Sequence, residues 1–303
     1  MDAKTAFKLG IGRLRDADVA SFTLAAELLL LHVAGRDRTW LYAHPEDFIS
    51  TEQEQRFFSL VARRAAGEPT QYLTGKQEFW GLEFEVNPDV LIPRPETEHV
   101  IEVALDRLAL RELRAGRKQT LSGEGLRIAD VGTGSGCIAI GLAKDLPGAK
   151  LLATDISASA LEVARRNAER HNFAHRIEFA NANLLEGVYP ELRFDLIVSN
   201  PPYIGRREGP MLQREVREHE PEIALFGGEE GYELYAALVS QSAARLAPGG
   251  ISVFELGHDS LPAVQPLFDT PEWTHVGVTN DLAGIPRVIA AERSEIGTSS
   301  NRA

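Results

Sequence analysis

Asparagine followed by two prolines and a tyrosine, Asn200-Pro201-Pro202-Tyr203, is the most specific chemical signature in the chain. It stands directly after FDLIVS at 194–199, an apolar run that reads as a buried strand. The prolines hold the backbone extended and remove two N–H donors. The Pro201 carbonyl and the Asn200 side-chain oxygen are then acceptors facing outward, with the flat Tyr203 ring beside them. Such a pair suits a planar amino group, as in an amide or an amino-purine, whose lone pair is conjugated and weakly nucleophilic. Two acceptors take its two hydrogens, aim the nitrogen, and stabilise the positive charge that grows on it as a bond forms. The Tyr203 ring can stack on the flat group. The nitrogen proton becomes acidic only as the nitrogen turns cationic, so no strong base is needed beforehand. Asn200, Pro201 and Tyr203 are the candidate catalytic residues, and Asn200, Pro201, Pro202 and Tyr203 the candidate substrate site.

A second constellation lies upstream. The apolar stretch 126–131 runs into DVGTGSG, Asp130 to Gly136, and Asp155 closes the next strand candidate. Glycines at 132, 134 and 136 allow a sharp turn and close approach of a ligand, while an acid ending the second strand accepts from ribose hydroxyls. Together they predict an adenosine-containing cofactor. A dinucleotide pattern can be laid over Gly134, Gly136 and Ala139, but a carboxylate at Asp130 repels a pyrophosphate and suits the cationic ammonium and sulfonium of S-adenosylmethionine. The methyl donor is therefore the expected cofactor, held by Asp130, Gly132, Thr133, Gly134, Ser135, Gly136 and Asp155.

The elements that must position these residues alternate. Strand candidates at 126–131, 150–154, 176–180, 194–199 and 251–256 are separated by amphipathic helix candidates near 137–145, 157–171, 229–246 and 259–268. That alternation predicts an α/β fold with a doubly wound, mostly parallel, Rossmann-like sheet. Two further pieces, 274–279 and 286–291, are expected to form an antiparallel edge hairpin. Ahead of the sheet, residues 1–75 read as a small helical domain: Phe22 to Ala34 stops at Gly35, and Ser50 with Gln53 forms a capping box. Residues 76–110 read as a hairpin around Gly81 and a linking helix begun by Pro95, and 111–293 as the cofactor domain. Within that domain 111–125 is expected to be a surface connection, and 294–303 a disordered tail.

Composition narrows the function classes. The 303 residues are 44% hydrophobic and 25% charged, with one cysteine, Cys137, which excludes a disulfide framework. No leader pattern or apolar run of membrane-spanning length is present, so a cytoplasmic location is expected. Net charge is −12, of which residues 1–80 carry −1 and 81–303 carry −11. An acidic body speaks against nucleic acid as a partner, since that grip rests on phosphate neutralisation. The histidines, His171 and His175 included, show no ligand spacing, and no metal is expected. Trp40, Trp80 and Trp273 read as core. The acidic run Glu215 to Glu222 reads as a solvated loop or helix placed where a lid can help seat a substrate.

These motifs resemble the Class I methyltransferases that act on amino groups. LIPRPETE at 91–98, the preceding GKQEFWGLEFEV, and EHEPEIALFGGEEGYELY at 218–235 make nearly the whole chain similar to the release-factor glutamine methyltransferase family (HemK/PrmC). The resemblance implies S-adenosylmethionine as cofactor and peptide-chain release factors as partners, with methylation at N5 of the glutamine in their Gly-Gly-Gln motif. It adds Asn183, Leu184 and Asn200 to the cofactor set. Asn183 stands where members often carry Asp, and Leu184 where some carry an aromatic. Arg94 and Glu96 are expected to brace rather than bind ligand. A glutamine methyltransferase of a ribosomal protein, an adenine or guanine amino methyltransferase, and a non-catalytic cofactor-binding module are the competing readings.

Overall fold

The computed structural model describes residues 1–116 and 122–295, which divide into two units. The first contains Met1–Lys76, Val86–Pro88 and Leu212–Glu220. Its helices are α1 (Ala3–Asp16), α2 (Phe22–Ala34), α3 (Arg38–Ala43), α4 (Thr51–Ala65) and α5 (Thr70–Thr74). The capping box forms: Ser50 Oγ accepts from the Gln53 N–H at 3.1 Å while Gln53 Oε1 accepts from the Ser50 N–H at 2.9 Å. Gly35 ends α2 with φ at 64°. Leu14, Leu29, Leu30, Phe57 and Val61 meet in a core of their own. A short helix at Arg214–His219 belongs to this unit, where Glu215 pairs with the buried Arg64. Part of the acidic run therefore neutralises a buried arginine of the helical unit instead of standing free as a solvated face.

The second unit opens with β1 (Lys76–Phe79) and β2 (Leu82–Glu85), joined through Trp80 and Gly81, whose φ values of 55° and 68° are those two-residue hairpin turns require. Trp80 tolerates that backbone because it is tied three ways: its N–H to Glu98, its indole N–H to Asp145, and its carbonyl to Lys144. After a 3₁₀ turn at Pro95–Thr97 the chain continues through α6 (Glu98–Arg114), β3 (Arg127–Val131), α7 (Cys137–Asp145), β4 (Lys150–Asp155), α8 (Ala158–Arg170), β5 (Ile177–Asn181) and β6 (Phe194–Ser199). Then come the short β7 (Ile204–Gly205) and β8 (Phe226–Gly228), a helix at Glu233–Arg245, β9 (Leu246–Glu255), β10 (Trp273–Asn280) and β11 (Pro286–Arg293).

Seven strands form one sheet in the order β10-β11-β9-β6-β3-β4-β5. The five from β9 to β5 run parallel, and β11 and β10 are antiparallel additions, with β10 at the edge. Side chains alternate between two apolar layers: Ile128, Leu196, Val253 and Val288 face one, and Ala129, Ile197, Phe254 and Ile289 the other. Both faces are buried, which is why these strands read as continuous apolar runs. Strand order reverses at β3, which has β4 on one side and β6 on the other, so a crevice opens at the carboxyl ends of β3 and β6.

Several elements differ from the sequence-based expectation. The linking helix runs to Arg114, into the expected surface connection, whose residues 117–121 lie outside those described. The helix expected from 229 starts at Glu233 because glycine-rich residues ahead of it form β8 and a turn. The 259–268 helix is one α-turn at Leu261–Val264 followed by a 3₁₀ turn, since Pro266 has no N–H to continue the ladder. Ser294 is anchored rather than part of a disordered tail, its N–H donating to the Glu272 carbonyl and its hydroxyl to that of Pro271. The rest of the expected tail, from 296 on, lies outside the described residues. Among the described residues no helix is long and apolar enough to cross a membrane.

Candidate active site

A cavity of about 260 Å³ occupies the crevice at the ends of β3, β4 and β6, and every residue lining it belongs to the second unit. On one side the turn after β3 is folded against β4. The N–H groups of Gly132 and Thr133 both donate to the Thr154 carbonyl at 2.9 Å, and that of Gly134 to Asp155 Oδ2 at 2.9 Å. All three glycines of this turn have positive φ, a conformation that side chains with a Cβ resist. The turn is pinned from behind by the buried Asn167 of α8, whose amide donates to the Ser135 carbonyl and exchanges two hydrogen bonds with Glu85.

Ten of the predicted site residues line the cavity: Gly132, Thr133, Gly134, Ser135, Asp155, Asn183, Leu184, Asn200, Pro201 and Pro202. Asp155 is half-buried, and burial pushes its carboxyl up while the N–H groups of Ser157 and Gly134 hold it down. Leu184 sits at φ 54°, an unfavourable backbone for a leucine, and offers an apolar wall. Asn183 is exposed, its amide 3.4 Å from Glu186.

Three predicted residues stand behind the wall instead. Asp130 is fully buried, its Oδ2 accepting from the Thr133 hydroxyl at 2.6 Å and the Ala139 N–H at 3.1 Å. It shapes the turn from beneath, and burial pushes its carboxyl up to about 7. Gly136 is the N-cap of α7, its carbonyl accepting from Ile140. Tyr203 differs most from the expected stacking platform. Its hydroxyl donates to Glu255 Oε1 at 3.2 Å, and its ring lies against Gly257, where a Cβ would come within 2.8 Å.

The cavity also draws in residues outside the expected site set. Thr97, inside the PRPETE segment, lines the cavity and accepts from Asn200 Nδ2 at 3.0 Å. Arg94 also lines it, whereas Glu96 is exposed and does not. Ser199 ties the ends of β6 and β3 through its hydroxyl to the Val131 carbonyl at 2.7 Å. Ile223, Ala224, Phe226 and Leu234 add an apolar side from the EPEIALFGG region. The glycines there are required by space, since a Cβ on Gly227 would collide with the Pro202 carbonyl, and one on Gly231 with the Tyr203 carbonyl. Only glycine lets this strand lie directly on the backbone of the Asn-Pro-Pro-Tyr turn.

These groups suit the methyl donor. Asp155 keeps lone pairs for ribose hydroxyls, the glycine turn offers backbone at close range, and Asp130 holds an unpartnered buried Oδ1 beneath the turn, whose lone pairs favour a cationic ligand above it. Among the described residues no group of three or more His, Cys, Asp or Glu side chains is arranged to hold a metal.

The chain is similar to known proteins in sequence and in fold. Residues 5–75 match a family model described as the PrmC N-terminal domain, and residues 117–218 one described as the methyltransferase small domain. A release factor glutamine methyltransferase of Koribacter versatilis is 43% identical over 293 residues, covering 97% of this chain and 99% of its own. One from Bradyrhizobium diazoefficiens is 41% identical, covering 93% and 91%. A methyltransferase structure from Pyrococcus furiosus superposes with a TM-score of 0.51 at 20% identity over 77% of this chain and 97% of its own, a likeness of fold.

Proposed function

Because this chain belongs to the release factor glutamine methyltransferase family, we propose that it methylates the side-chain nitrogen N5 of the glutamine in the Gly-Gly-Gln motif of peptide-chain release factors, with S-adenosylmethionine as methyl donor. When bound, that donor supplies an electrophilic methyl on a cationic sulfur. The residues of the chain do the rest by orientation. Asp155 and the Gly132–Gly136 turn bind and align the donor, with Asn183 and Leu184 as its adenine side. Asn200 Oδ1 and the Pro201 carbonyl accept the two amide hydrogens of the glutamine, holding its nitrogen in the crevice and spreading the charge that grows there. Pro202 keeps the turn extended, and Tyr203 holds it from behind. No side chain is required as a base, since the proton is lost to water once the nitrogen is cationic.

The observation that carries this reading is the hydrogen bond from Asn200 Nδ2 to Thr97. With its N–H occupied there, Asn200 has its oxygen left for a donor in the cavity, as a substrate amino group requires. The test is Asn200→Ala. By analogy with loss of one preorganised oxyanion-hole donor, kcat should fall roughly 10²–10³-fold, or about 2.7–4 kcal/mol, while donor affinity changes far less. Turnover near wild type would place the chemistry elsewhere. A nucleic-acid substrate finds no support in a chain of net charge −12.

A further inference from the structure

Behind Asn200 lies a carboxyl that the proposed reaction does not use. Glu255, at the carboxyl end of β9, is 1% exposed, and its Oε2 has no hydrogen-bond partner. Its Oε1 takes the Tyr203 hydroxyl, and the Tyr235 hydroxyl fixes its backbone carbonyl at 2.6 Å. The hydroxyls that face this carboxyl are those of Thr97 and Tyr203. A buried carboxyl left half-satisfied is costly, and such groups persist where they serve a purpose. Thr97 is itself 2% exposed and sits between Glu255 and Asn200.

A side-chain amide has two nearly isosteric orientations. Turned one way Asn200 shows the substrate an acceptor; flipped, it shows a second amino group that repels the substrate's own. A threonine hydroxyl does not decide between them, because it can donate or accept. A carboxylate does decide, because it only accepts; burial pushes Glu255 up to about 7 while the Thr97 and Tyr203 hydroxyls hold it down, so it directs Thr97 as a carboxylate above that pH. We propose that Glu255 and Thr97 are positioning residues: Glu255 takes the Thr97 hydroxyl proton, which leaves Thr97 Oγ1 to accept from Asn200 Nδ2 and fixes Asn200 Oδ1 toward the substrate amide. The proposal rests on the role given to Asn200 above. It links the carboxyl end of β9, the turn before α6 and the end of β6 in one directed chain of hydrogen bonds. The PRPETE threonine thereby gains a reason for standing beside the Asn-Pro-Pro-Tyr turn.

The test compares Thr97→Val, Thr97→Ser, Glu255→Leu and the double variant Thr97→Val/Glu255→Leu with Asn200→Ala on one protein substrate containing Gly-Gly-Gln. Loss of the directing hydrogen bond in Thr97→Val should lower kcat about tenfold with donor Kd unchanged within about twofold, and Thr97→Ser should restore kcat to within about threefold. Because Glu255 acts through Thr97, the double variant should be about as slow as the slower single, not as slow as the product of the two losses. A Thr97→Ser as slow as Thr97→Val, or multiplicative losses in the double variant, would overturn the relay. So would wild-type turnover in Thr97→Val while Asn200→Ala is slow, and that result leaves the assignment of Asn200 standing. Wild-type turnover in Asn200→Ala as well would instead remove that assignment. If Glu255→Leu fails to fold, the isosteric Glu255→Gln replaces it in the single and double variants, and multiplicative losses there overturn the relay in the same way.

Discussion

Two aspartates at the ends of neighbouring strands show how residue type and residue role part company. Asp155 faces the cavity, and Asp130, one strand away, is buried under the turn it shapes. Spacing in the sequence locates both at the cofactor end of the sheet, but it carries no information on which way a side chain leaves the strand tip. Asn200, Pro201 and Pro202 are legible because their types together admit few uses; Thr97, Asn167 and Glu255 are not, since a lone Thr, Asn or Glu acquires its role only from a partner distant in sequence. At this scale Asp155→Ala should weaken S-adenosylmethionine binding by roughly 1.5–3 kcal/mol per charged hydrogen bond lost, read by calorimetry. Unchanged affinity would remove Asp155 from the site. Asp130 gives a pH test. Its folded carboxyl is raised from 3.8 to about 7, chiefly by burial, so the folded state holds that proton more tightly than the unfolded chain. The resulting stability is fully present below pH 3.8 and is lost as pH rises to about 7. Wild type should therefore lose stability relative to Asp130→Asn across that window in denaturant melts, and parallel curves would contradict the assignment.

Among the elements, the long periodic ones are readable from sequence and the short ones are not. The α7 helix falls on 137–145 as expected, and the β10–β11 hairpin follows from two apolar runs around a Gly-Pro turn. Between β6 and the helix at Glu233, however, the chain makes only two- to six-residue pieces, too short for periodicity to register. The glycine segment around β8 takes its order from contact with the Asn-Pro-Pro-Tyr turn. Gly227 is the sharpest case, since a Cβ there meets backbone oxygens that cannot move independently. Gly227→Ala should displace the turn, lowering kcat at least tenfold and destabilising the unit by about 1–3 kcal/mol, the usual cost of overpacking. Gly12→Ala is the control, for in α1 nothing lies within 4 Å of the added carbon and helix propensity favours alanine by about 0.8–1 kcal/mol. Equal effects of the two substitutions on kcat would show that the close approach of Gly227 is unimportant.

At the scale of the whole molecule, the cavity is lined entirely by residues from Asp89 onward, and the helical unit keeps a separate core. A chain beginning at Gln77 should therefore bind S-adenosylmethionine within about threefold of the full protein, while methylating an intact release factor far more poorly than a short Gly-Gly-Gln peptide. Equal loss on both substrates would make the helical unit a scaffold rather than a recognition element. Recognition by a protein partner also fits the charge of −12, which offers no broad electrostatic grip on nucleic acid. The most direct measurement is of the product itself: the full protein is incubated with isotopically labelled S-adenosylmethionine, an unmodified release factor, a ribosomal protein fraction and RNA, and the labelled residue is located by tandem mass spectrometry. The account predicts one methyl on the side-chain nitrogen of the glutamine in the Gly-Gly-Gln motif, and loss of that label with Asn200→Ala. Label on a base, on ribosomal protein alone, or on any other atom of the release factor would contradict it.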